Sequence, residues 1–174
     1  MAFTMSQASL PALEIGLNAL TAVLDKGAAH MAAKKTDVSV MLGWRLAPDM
    51  FALTRQVLIA CDQAKNGMAR LAGVEPPRFD DTETTLDEVK ARIAKTVAFI
   101  KTLDQAAVDG ASERDVVFPV GGGNKGQMKG ADNLIHWVLQ NFCFHLTAAY
   151  AIVRACGADV GKRDFLGAMP LTRL

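Results

Sequence analysis

The chain has 174 residues, 19 of them basic and 18 acidic, for a formal net charge of +1. That length suits one domain able to bury most of its apolar surface, so residues 1–174 are expected to form a single domain. The near balance of charge gives no field of one sign to draw nucleic acid or an anionic lipid surface, and neither partner is expected.

The opening MAFTMSQASLPALE lacks a basic segment followed by a continuous apolar run and does not read as a secretory signal. A first helix is predicted over about 10–32, where Leu10, Leu13, Leu17, Leu20, Leu24 and Met31 follow three-and-four spacing. Ser9 is the expected N-cap with Pro11 in the first turn. His30 falls beside the stripe as a boundary histidine. A second helix is predicted over about 48–71, opening on Pro48, with Met50, Val57, Cys61, Ala64, Met68 and Leu71 facing inward. Arg55, Asp62 and Asn66 cluster on its other side. They read either as a solvated ion pair or as the lining of a cleft or subunit contact.

Gly73 to Pro77 cannot be crossed by a helix. Thr85-Leu-Asp-Glu88 then has the form of a capping box and opens a third helix over about 85–106. Leu86, Val89, Ile93, Val97 and Ile100 are its buried stripe, and Lys90, Arg92, Lys95 and Lys101 its expected wet surface. From Glu113 to Lys129 the character changes to β-branched residues and glycines. Val116 to Val120 and Gln127 to Lys129 are predicted as two arms of a small hairpin around GGGNKG. Gly121, Gly123 and Gly126 match the GxGxxG spacing, but no helix opens on the last glycine and no strand-helix alternation surrounds it, so a dinucleotide site is rejected.

The most apolar run, Leu134 to Cys156, lies within a fourth helix over about 131–156. His136, Gln140, Thr147 and Arg154 project within roughly 40° of one another and should face water. Opposite them, among Leu134, Val138, Ala148, Ala149 and Ile152, stand two polar residues one turn apart, Asn141 and His145. The polar stripe and its arginine argue for a helix buried in protein and against a membrane span. The tail from Gly157 is expected to pack Phe165 and Leu166 back on the helices, with Lys162, Arg163 and Asp164 as a solvated turn or the rim of a site. Cys61, Cys143 and Cys156 are odd in number, lack CxxC spacing and lie in apolar surroundings, as buried reduced thiols do. A cytoplasmic location follows. The fold class is all-α: a four-helix bundle with a small β-hairpin or extended insertion between helices 3 and 4.

LAPDMFALTRQ (Leu46 to Gln56), ACDQAK (Ala60 to Lys65), RLAGVEPPRF (Arg70 to Phe79), MKGADNL (Met128 to Leu134), NFCFHLTAAYAIVR (Asn141 to Arg154) and GKRDFLG (Gly161 to Gly167) resemble the bacterial and fungal family known as domain of unknown function nineteen-ninety-three. The resemblance spans nearly the whole chain and implies a branch of the DinB/YfiT-like superfamily of four-helix bundles. It also implies a homodimer, which Phe51 and Leu58, apolar residues expected to be exposed at the margin of the second helix, support, and a divalent metal, zinc or nickel, which in that superfamily is held by a histidine on the second helix and a HxxxH pair on the last. Here the last-helix pair is Asn141 and His145, and the second helix offers Asp62, Gln63 and Gln56 with no histidine. A His145, Asn141 and Asp62 set would be oxygen-rich and weaker toward zinc or nickel.

Two function classes follow. In one, the chain is a non-catalytic or small-ligand-binding bundle in which Asn141 orients a structural His145 or bonds a facing helix, and His145, Asn141, Asp62, Gln56 and Arg55 line any ligand pocket. In the other it is a DinB-like metal-assisted transferase or hydrolase, with His145 as the surviving ligand or as a general base.

Overall fold

A computed structural model of the chain describes residues 3–172; residues 1, 2, 173 and 174 of the expected domain lie outside them. The first helix, α1 (Met5–Ala33), starts a turn earlier than the Ser9 cap implied. Thr4 supplies a capping box instead: its hydroxyl accepts from the Gln7 amide, and the Gln7 side chain accepts from Thr4 N. Ser9 is buried within the helix and donates to the Met5 carbonyl at 2.7 Å. A short α2 (Val38–Leu42) follows. The next helix, α3 (Leu53–Ala72), begins at Leu53 and not at Pro48, because Leu53 N is tied back to Trp44 O at 2.9 Å and residues 43–52 run as turns and extended chain.

The capping box at Thr85 does open α4 (Leu86–Lys101). The helix stops short of residue 106 because Asp104 caps the Ala106 amide and starts a separate turn, α5 (Gln105–Asp109). At the other end, Glu88 accepts from the backbone amides of Thr84 and Thr85 at 2.8 and 2.9 Å. The Thr84 amide, then that of Thr85, holds the Glu88 carboxyl down to about 2 from its ordinary 4.5. A depressed carboxyl contributes stability above its ordinary pKa and loses it as pH falls toward the folded value. Glu88→Gln should therefore be less stable near neutrality, with the difference closing between pH about 4.5 and about 2; thermal midpoints that run parallel across that window would refute the assignment.

The hairpin is present. Strand β1 (Asp115–Gly121) pairs antiparallel with β2 (Asn124–Lys129) in the register Asp115 to Lys129 through Gly121 to Asn124, with an irregularity between Pro119 and Gly121. The turn is Gly122-Gly123, both at positive φ (59° and 78°), a region that glycine enters without steric cost. The GxGxxG spacing thus serves a hairpin. Phe118, 2% exposed, anchors it against Trp137 with ring centroids 4.8 Å apart.

From the hairpin the chain enters one long helical path: α6 (Gly130–Asp132), a π-helical segment (Asn133–Val138) and α7 (Leu139–Ala155). His136, Gln140, Thr147 and Arg154 are exposed, as their stripe required. After Gly157, α8 (Lys162–Leu166) packs on α1, with Phe165 edge-on to Tyr150 and Asp164 paired with Lys26 at 2.6 Å. The molecule is mostly helical with one small two-stranded antiparallel sheet. Helices α1 and α3 each pack against both α4 and α7. Leu13, Leu17, Leu20 and Leu24 meet Val57, Cys61, Met68, Ile93, Val138 and Ile152 in a continuous apolar core. Gly67 permits one close approach within it, since a Cβ there would lie 2.5 Å from Val138 Cγ2. Among the described residues no helix is long and apolar enough to cross a membrane.

Candidate functional site

Two polar side chains of the core face each other between α3 and α7. Gln56 is 1% exposed and His145 9%. His145 Nδ1 lies 2.7 Å from Gln56 Oε1, and Gln56 Nε2 donates to the Phe51 carbonyl at 3.1 Å. That second bond decides the chemistry of the first. With its amide nitrogen committed to Phe51, Gln56 presents an oxygen that only accepts, so Nδ1 carries the proton and the lone pair of the neutral ring lies on Nε2. Burial, then the charge of Arg55, pushes the His145 pKa below its ordinary value and favours that neutral form. Among the described residues Nε2 makes no hydrogen bond to the protein. The ring of Phe144 meets His145 edge to face, with centroids 5.1 Å apart.

Of the five expected pocket residues, then, Gln56 and His145 touch and Arg55 acts on them through its charge. Asn141 does not orient His145. It is half-buried and its Nδ2 donates to the Trp137 carbonyl at 2.7 Å. A short amide on a helix readily finds the carbonyl one turn back, and that local bond competes with any reach toward a neighbour. Asp62 is also elsewhere: its carboxylate lies 3.1 Å from Arg92 and 3.2 Å from Lys65. Arg55 pairs not with Asp62 but with Asp81, from the connector between α3 and α4. The His145, Asn141 and Asp62 set does not fit zinc or nickel. It offers a single imidazole nitrogen, its carboxylate is engaged by Arg92 and Lys65, and among the described residues no three His, Cys, Asp or Glu side chains gather to hold an ion.

Sequence reasoning missed the largest polar assembly. Arg92, expected on the wet face of the third helix, is 2% exposed. Its Nη1 donates to the Asp80 carbonyl and to Glu83, its Nη2 to Asp62 and Asp81, all within 2.9–3.1 Å. Phe79 lies against Lys65 and Arg92, with its ring centroid 4.3 Å and 4.9 Å from their charged ends. The acidic run Asp80, Asp81, Glu83, in a connector that must return over a basic helix, is the signal that could have pointed to it.

A second, apolar cleft of about 500 Å³ runs along α7, lined by Leu46, Met50, Cys143, Phe144, Thr147 and Ala151 among others. Phe51 nearby is 55% exposed, as expected for the margin of the second helix. Leu58, expected there too, is buried at 3%. Cys143 is exposed and Cys156 half-buried, so of the three thiols expected to be buried only Cys61 is.

Comparison with known proteins gives a family and a structural likeness. The family model described as Domain of unknown function (DUF1993) matches residues 5–166. A crystal structure of a DinB family member protein from Shewanella denitrificans, determined at 1.83 Å, is 39% identical, covers 95% of this chain and 93% of its own, and superposes with a TM-score of 0.88. No curated protein matches.

Proposed function

We propose that this chain, which belongs to the DUF1993 family, is a non-catalytic, small-ligand-binding protein whose buried His145–Gln56 pair is the polar fixture of its interior. The carrying observation is the relay from Phe51 O through Gln56 to His145, which fixes one imidazole tautomer and leaves one acceptor unspent. The architecture belongs to the same proposal: α1, α3, α4 and α7 form a DinB-like four-helix bundle and a single domain, in keeping with the likeness to the Shewanella denitrificans protein. We read the three cysteines, none disulfide-bonded, as those of a cytoplasmic protein. A homodimer keeps Phe51 as its support and loses Leu58. Light scattering tests it.

The experiment for the site is nitrogen-15 NMR of the histidines together with elemental analysis of protein purified without chelator. The expected result is a neutral Nδ1–H tautomer for His145 near neutral pH and no stoichiometric metal. A stoichiometric zinc or nickel that disappears in His145→Ala would overturn the proposal in favour of metal-assisted transferase or hydrolase chemistry. Gln56→Leu removes the acceptor of a buried N–H and should cost about 1–3 kcal/mol; urea denaturation measures it, and a neutral result would mean that the relay does not hold His145.

A further inference from the structure

Between α3 and α4 the connector makes no backbone–backbone hydrogen bond at any residue from 75 to 84. Side chains alone hold this strap to the helices, and most of them are charged. Asp81 pairs with Arg55 and Arg92, Glu83 pairs with Arg92, the Asp80 carbonyl accepts from Arg92, and Phe79 lies against the charged ends of Lys65 and Arg92. Asp80 spends its own carboxylate on Arg78, within the strap. The helices set one carboxylate, Asp62, among the three cations Arg55, Lys65 and Arg92. That seam therefore carries a surplus of two positive charges, and Asp81 and Glu83 supply the two negative charges that balance it. We infer that Arg55, Lys65 and Arg92 form a binding site for a compact dianion, a dicarboxylate or a phosphate, and that the acidic strap is its resident occupant, lifting when such an ion takes the place of Asp81 and Glu83. The site is a second one, apart from the His145 and Gln56 pair.

Two observations mark the strap as a replaceable occupant. Its fit is incomplete: Arg92 Nε and Glu83 Oε2 are buried at this contact with no hydrogen-bond partner among the described residues. A donor and an acceptor left unmade in the interior are costly. Lifting the strap returns Glu83 to water, and an untethered oxyanion can meet the fork of the guanidinium, Nε included, in the bidentate geometry that suits carboxylate and phosphate. The strap also stands off α4, leaving a cavity of about 350 Å³ lined by Phe79, Thr82, Glu83, Arg92 and Lys95 among others. Lys95 and Glu88, one charge of each sign, both line it, so its α4 wall leaves the surplus at the cradle unchanged. A tethered occupant acts at an effective concentration on the order of millimolar, so a free dianion at roughly tens of millimolar can compete with it.

The test uses the full chain with sodium succinate and sodium phosphate at about pH 8, where phosphate is mostly a dianion, each against sodium chloride at equal ionic strength. The readout is tryptic cleavage after Arg78, whose side chain is 92% exposed on the strap, normalised to a small peptide substrate; a lifted segment is cut faster than one held at both ends. Succinate or phosphate should speed cleavage severalfold over sodium chloride, and the anion that acts at the lower concentration assigns the source, carboxylate or phosphate. In the double variant Asp81→Asn, Glu83→Gln cleavage should be fast without added ion. Calorimetry on that variant should show the more effective anion bound about tenfold tighter than by the parent, because the tethered competitor is gone. A contact that only held the fold together would yield no such gain. If the variant does not fold, the ion dependence of the unaltered protein decides alone. Equal acceleration by sodium chloride makes the strap an ordinary ion-pair contact weakened by screening and overturns the proposal, as does cleavage that no ion accelerates. A folded double variant that binds neither anion more tightly than the parent overturns it as well.

Discussion

Arg92→Met is expected to lower the unfolding free energy by about 3 kcal/mol, the lower end of what breaking a buried ion pair costs. The low end applies because two of the carboxylates left behind are open to solvent, Asp81 at 39% exposed and Asp62 at 28%; Glu83 is the sealed one, 12% exposed with Oε2 buried and unpartnered. The loss falls on those three acids. With Arg92 gone, Glu83 has no basic partner among the described residues, Asp62 keeps Lys65, and Asp81 keeps Arg55. Burial alone would raise the Asp81 pKa; the hydrogen bond and charge of Arg55, then those of Arg92, outweigh it and hold the carboxyl below its ordinary range. A carboxyl depressed in this way contributes stability at neutral pH and loses it in acid, so the deficit of Arg92→Met should shrink as pH falls below about 4. Arg92→Lys should recover only part of it, since a single ammonium cannot serve four acceptors in the plane of a guanidinium. Urea denaturation at neutral pH and in acid measures both. A deficit under about 1 kcal/mol at neutral pH, as for an exposed pair, would mean that Arg92 is a surface residue after all.

That a sequence reading put Arg92 in water shows where periodicity stops. The stripe Leu86, Val89, Ile93, Val97, Ile100 located the core face of α4, and Val89, Ile93 and Ile100 are indeed buried. Arg92 borders that stripe, and what buries it is the connector carrying Phe79 to Glu83, which no helical projection contains. The hairpin and the Thr85 cap were legible because their determinants are local: a glycine turn between β-branched residues, and a hydroxyl and carboxylate three residues apart. Thr4 to Gln7 has the same local form. The apolar stripe begins only at Leu10, which points to Ser9, whereas the helix continues back to Thr4 and there Ser6 bonds Asp109. The Asn141 and His145 pairing failed for another reason. Spacing of four puts two side chains on one face, but their partners depend on what else is within reach. Asn141 found a carbonyl in its own helix, just after the π-helical segment, and His145 found Gln56 across the interface. His145 as the interior polar residue was readable from one helix alone; its partner required the packing of two.

The second large effect falls on a residue with no side chain. Gly130→Ala is expected to cost about 3 kcal/mol, at the upper end for forcing an atom into a packed site. A Cβ on Gly130 would collide with the Ala111 carbonyl oxygen and lie 2.8 Å from its carbon. Both are backbone atoms, so no rotamer change can make room. Nor can the strands of chain part easily, because Gly130 N donates to Arg114 O at 2.9 Å and Ala131 N to Ser112 O at 3.0 Å, pinning the start of α6 to the segment before β1. Relief would require breaking that junction, which sets where the path from the hairpin into α7 begins and so the height of His145 against Gln56. Helix propensity favours alanine over glycine by at most about 1 kcal/mol, too little to reverse the sign. Gly161 provides the control: nothing lies within 4 Å of a Cβ built there, and its φ of −135° is open to any residue, so Gly161→Ala should stay within about 0.5 kcal/mol of the parent. Denaturation of the two variants side by side tests the contact directly. If Gly130→Ala matched Gly161→Ala, the close passage between residue 130 and the Ala111 carbonyl could not exist in solution, and the registry it imposes on α7 would have to come from elsewhere.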